Sequence, residues 1–69
     1  MITPAYRRVQ EIDHGRTGAS VRKFRLRRGR SLRAVARELG WSPTDLSDLE
    51  RGKRRWSQAL LARINEVLQ

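Results

Sequence analysis

The sequence predicts an all-α protein, a compact four- to five-helix bundle with a helix-turn-helix, its helices at about 18–28, 31–39, 43–51 and 57–68. Three observations lead there. From Ser31 to Gly52 the chain reads SLRAVARELGWSPTDLSDLERG, two short helical patterns around a tight Leu39-Gly40-Trp41 turn. Helix start signals at Ser31, Ser42 and Ser57 alternate with stop glycines at Gly29, Gly40 and Gly52. No segment has a strong strand signature.

Taken in order, Thr3-Pro4 resembles an N-cap followed by a first-turn proline. Tyr6, Val9 and Ile12 then recur every three residues, which suits a short helix, although Val9 and Ile12 are β-branched and an extended arm or strand fits as well. Residues 1–16 are therefore an N-terminal arm or short helix, and residues 17–69 form the helix-turn-helix domain. Asp13-His14-Gly15 breaks the pattern and makes Gly15–Gly18 a linker. Thr17 caps the next helix, on which Val21, Phe24 and the stem of Arg28 share a face before Gly29 ends it.

Ser31 caps the helix whose stripe is Leu32, Val35, Ala36 and Leu39, spaced i, i+3, i+4, i+7. The next start is the most explicit. Ser42 is the N-cap, Pro43 is N1, Asp45 can close a capping box, and Trp41 is placed to staple onto Leu46. Trp56 is placed to staple onto Leu61 in the same way, after the Ser57 cap. The expected core is Val21, Phe24, Leu32, Val35, Ala36, Leu39, Trp41, Leu46, Leu49, Leu61, Ile64 and Leu68.

Composition narrows the function. Sixty-nine residues allow one domain, and a chain this short buries only about 60% of its unfolded surface. There is no cysteine and His14 is the only histidine, which excludes disulfides and a His/Cys zinc site. Nothing else suggests a metal, a cofactor or a small-molecule ligand. An enzyme is not expected, since no glycine-rich phosphate loop and no carboxylate pair free of capping roles is present. No apolar run approaches the ~18 residues of a membrane helix, and no secretory leader is visible.

The net charge is +9, and it is lopsided. Residues 1–19 carry Arg7, Arg8 and Arg16 against Glu11 and Asp13, for +1, while residues 20–69 carry +8. A polyanionic partner is implied, facing the part of the chain that holds the helix-turn-helix.

The residues from Val21 to Leu68 resemble the lambda-repressor-like (Cro/Xre) helix-turn-helix family. The resemblance is carried by Arg25 and Gly29 in VRKFRLRRG, then Ser31, Ala36, Leu39-Gly40, Ser42, Leu46-Ser47 and Leu49-Glu50-Arg51-Gly52. It covers about two-thirds of the chain. It implies a sequence-specific transcriptional regulator, a repressor by preference, that binds double-stranded operator DNA as a homodimer with helix 43–51 in the major groove. It also implies a bacterial or phage-encoded cytoplasmic protein associated with the nucleoid.

Carried onto this chain, the resemblance puts Pro43, Thr44, Ser47 and Asp48 nearest the base edges, and makes Arg25 and Glu50 an internal ion pair. Two positions depart from it, because many members carry glutamine where Leu32 and Pro43 stand here. Asp48 either accepts from cytosine N4 or pairs with a nearby arginine such as Arg51. Lys53, Arg54 and Arg55 follow the recognition helix directly and are the first phosphate candidates, with Arg33 and Arg51 beside them. Arg22, Arg27 and Arg30 divide evenly between contact and solvated surface. Leu60 and Val67 lie off the inward stripe of the last helix and are the expected dimer interface, with the N-terminal arm as the other candidate. The competing function is a basic adaptor that uses the same fold to bind RNA or a protein without reading DNA sequence.

Overall fold

The computed structural model describes residues 1–69. Its elements are β1 (Tyr6–Arg8), β2 (Glu11–Ile12), α1 (His14–Arg27), α2 (Leu32–Leu39), α3 (Pro43–Glu50) and α4 (Gln58–Leu68). The all-α bundle stands, with one small hairpin added in front of it.

Each helix begins on a side chain that accepts the amide at its third position. Asp13 accepts from Arg16 N at 3.0 Å, and Ser31, Ser42 and Ser57 accept from Ala34, Asp45 and Leu60 N at 3.1 Å each. Such a cap stabilises by about 1 kcal/mol. Helices α1, α2 and α3 end in one way. Gly29, Gly40 and Gly52 take φ of 66°, 74° and 77°, and the next residue bonds five positions back, as Trp41 N does to Ala36 O at 2.9 Å. This is the Schellman closure, which satisfies carbonyls the helix leaves open.

In the N-terminal third the structure takes the strand reading of residues 6–12 and corrects the helix reading. Thr3-Pro4 starts no helix, and residues 6–12 form an antiparallel hairpin pairing Tyr6 with Ile12 and Arg8 with Glu11 across a bulge. Helix α1 starts at His14 rather than at residue 18, so Gly15–Gly18 is helical, not a linker, and the expected boundary between 16 and 17 falls inside α1. Asp13 supplies the cap. Thr17, expected there, is fully buried one turn in, and its hydroxyl accepts from Ala5 N at 3.0 Å.

Helix α1 packs on α3, and α2 packs on both α3 and α4. Their shared core is Val21, Val35, Ala36, Leu39, Leu46, Leu49, Trp56, Leu61, Ile64 and Leu68, joined by Ile2. Phe24, Leu32 and Trp41, expected inside, are only half-buried against it. Ile2 enters because Asn65 on α4 grips its backbone twice, accepting from Ile2 N and donating to Ile2 O, both at 2.8 Å. A buried amide side chain is satisfied by that pairing, and the arm is tied to its own chain. No helix is long and apolar enough to cross a membrane.

Candidate nucleic-acid interface

Helix α3 has two clear sides. Leu46, Leu49 and Glu50 are buried, while Pro43, Thr44 and Arg51 are exposed and Ser47 and Asp48 half-exposed. At 3.6 residues per turn the spacing 43, 44, 47, 48, 51 is one face. The structure thus gathers all four residues proposed from sequence for base edges, with Arg51, on the side of α3 turned away from the core.

What holds that face in place is a buried ion pair. Arg25 Nε donates to Glu50 Oε2 at 2.7 Å and Nη2 donates to Glu50 Oε1 at 3.1 Å, with side chains only 8% and 4% exposed. A third donor, Nη1, reaches Arg30 O at 2.8 Å, so α1, the α1–α2 loop and α3 are fixed together. The planar guanidinium fork matches the carboxylate, which is why lysine is no substitute there.

Close approach of backbone does the rest. A Cβ on Gly18 would sit 2.3 Å from Leu49 O and 2.6 Å from Glu50 O. Gly18 therefore stands mid-helix, despite its poor helix propensity, because α1 and α3 touch there. Beyond α3, Trp56 closes the basic loop. Its indole Nε1 donates to Leu49 O at 3.0 Å, and its backbone N donates to His14 Nδ1 at 2.8 Å. Sequence reasoning read His14 only as part of a break before a linker, and it missed both this contact and the packing role of Gly18. The signal for an earlier helix start was Asp13, a good N-cap three residues before Arg16.

The charged residues separate by partner. Asp45 does not close a capping box, since its carboxylate meets Arg54 Nη2 at 2.9 Å instead. That pair is half-exposed and stabilises by ~0–1 kcal/mol. Asp48 has no cation within 4 Å, so the expected pairing with Arg51 does not form. Arg33, Arg51, Lys53 and Arg55 are exposed and have no carboxylate within that distance. Arg30 is engaged, bonding Glu38 and donating to Val67 O at 3.1 Å. Trp41 leans on α4, with the Arg63 guanidinium 6.0 Å from its ring centre. Leu60 and Val67 are half-buried against the core.

A family model described as a helix-turn-helix domain matches residues 16–69. The chain belongs to this helix-turn-helix domain family. The match runs through α2, the turn, α3, the basic loop and α4, and it takes in most of α1. No curated protein and no solved structure matches the chain. The hairpin at 6–12 lies before the matched residues and packs against the helix-turn-helix domain through Gln58 Nε2, which donates to Tyr6 Oη at 3.2 Å.

Proposed function

We propose that this helix-turn-helix domain is a sequence-specific DNA-binding transcription regulator of the Cro/Xre kind that inserts α3 into the major groove of operator DNA as a homodimer. One observation carries the reading. The uncovered face of α3 presents Pro43, Thr44, Ser47 and Asp48 on a helix clamped from behind by Arg25–Glu50, directly before an exposed basic loop. Base reading needs that combination of rigid presentation and adjacent positive charge.

The roles follow from chemistry. Thr44 and Ser47 hydroxyls can donate to or accept from base edges, Asp48 accepts from cytosine N4, and Pro43 offers apolar contact to a thymine methyl. Lys53, Arg55, Arg51 and Arg33 neutralise phosphates, and Arg54 does so with the donors that Asp45 leaves free. The second copy packs on the α4 side that carries Leu60 and Val67, seven residues apart and both half-buried. Two α3 helices then lie about 34 Å apart on a palindromic site. Occupancy of promoter DNA is itself enough for repression, which is the output we assign.

Site selection from a random duplex library tests this directly. The expected product is a palindrome with half-sites one helical turn apart, bound far more tightly than random duplex at equal salt. Equal affinity for selected and random duplex at every salt concentration overturns sequence reading and favours the adaptor. Sedimentation of a monomer both free and on DNA overturns the homodimer.

A further inference from the structure

A groove of about 420 Å3 opens between α1, the start of α2 and α3, lined by Arg22, Arg25, Leu32, Ser47, Glu50 and Arg51. Two of these, Arg25 and Glu50, are the buried ion pair, whose charges cancel and whose geometry is rigid. The charge a ligand meets therefore comes from Arg22 on α1 and Arg51 just past α3. Both are exposed, and neither has a carboxylate within 4 Å. Ser47, one turn before Arg51, adds a hydroxyl. Two guanidinium forks and a hydroxyl around a fixed floor suit a tetrahedral oxyanion.

We propose that this groove seats one phosphodiester of the bound duplex, with Arg22 and Arg51 as its two cationic walls. The proposal rests on the DNA reading above and adds Arg22, a residue outside the recognition helix and its basic loop. The geometry favours a backbone phosphate over a free one because Ser47 belongs to both the groove and the exposed face of α3. A phosphate held there lies on a strand whose bases α3 meets, so the groove sets the register of the helix in addition to adding affinity. Arg22 is thereby distinguished from Arg27, which lies with Lys23 beside Met1–Thr3 along another side of α1.

The test compares R22Q, R51Q, their double substitution and K23Q on one 20-base-pair duplex across a salt series, with thermal melts confirming that each variant folds. R22Q and R51Q should each reduce the slope of log K against log salt by about 0.9, and the double by about twice that. K23Q removes the same charge from the other side of α1 and should leave the slope unchanged. Inorganic phosphate, added at constant ionic strength, should not compete. A wild-type slope for R22Q, or equal losses for R22Q and K23Q, overturns the groove and leaves the DNA reading standing. Competition by inorganic phosphate that disappears in R22Q assigns the groove to free phosphate and overturns the duplex assignment. A wild-type protein that fails to bind duplex at all overturns both readings.

Discussion

Arg25 holds Glu50 by two parallel hydrogen bonds of 2.7 and 3.1 Å, and both side chains are nearly inaccessible to water. Two charges taken out of water this way are costly to separate. Glu50→Ala or Arg25→Ala should lower stability by about 3–5 kcal/mol, because each strands a buried charge. That is a large share of what so small a domain has, so the urea midpoint should collapse. Replacing both, Arg25→Met with Glu50→Leu, should recover most of the loss. A single substitution costing under about 1 kcal/mol would mean that water reaches the pair.

Gly18 and Gly15 stand on the same helix and should respond oppositely to alanine. A Cβ at Gly18 meets backbone carbonyls at 2.3 and 2.6 Å, which side-chain motion cannot relieve. Gly18→Ala must push α1 off α3, with a cost of about 1–3 kcal/mol or more. At Gly15 the nearest atom to a new Cβ is the Asp13 carboxylate at 3.6 Å, an ordinary contact. Gly15→Ala should stabilise by up to about 1 kcal/mol through helix propensity. Matching melting shifts for the two variants would show that the helices do not touch as described.

His14 and Trp56 tie the start of α1 to the end of the basic loop. His14→Ala removes the acceptor for Trp56 N, and Trp56→Phe leaves Leu49 O without its indole donor. Each should cost about 1–3 kcal/mol in chemical denaturation. Because neither residue touches the exposed face of α3, the DNA salt slope of the folded variants should stay at the wild-type value.

Asp48 is a carboxylate with no cation beside it, on the face assigned to DNA. Asp48→Ala should tighten binding to random duplex by removing repulsion. On the selected site it should relax discrimination at one C·G pair by about 1–3 kcal/mol. An unchanged base preference, read by competition among single-substitution duplexes, would remove Asp48 from the reading set.

The loop cations should not be equivalent. Lys53→Ala and Arg55→Ala should each lower the salt slope by about 0.9 and leave stability within ~0.5 kcal/mol. Arg54→Ala also releases Asp45, and it should show a small stability loss in the same melts. Uniform behaviour of all three in stability would show that the Asp45–Arg54 contact contributes nothing.

The helix frame was legible in the sequence because its signals are local. Ser31, Ser42 and Ser57 each bond an amide three residues on, and the terminal glycines act on the turn that precedes them. The exposed stripe of α3 follows from the same 3.6-residue period once Leu46 and Leu49 are placed inside. The Arg25–Glu50 pair came from family resemblance, since nothing local links two residues 25 apart.

Where sequence reasoning failed, distant contacts had overruled local preference. Gly15 and Gly18 look like a linker until α3 is laid against them. Ile2 looks like a free arm until Asn65, 63 residues away, accepts and donates to its backbone. By itself the sequence determined where α2, α3 and α4 start and where α1, α2 and α3 stop, since those depend on contacts within a turn or two. Only the tertiary structure decided that α1 touches α3 at Gly18, how the loop is closed by His14 and Trp56, and that Arg22 shares a groove with Arg51. Those depend on how the helices cross, which the packing of all their side chains sets together.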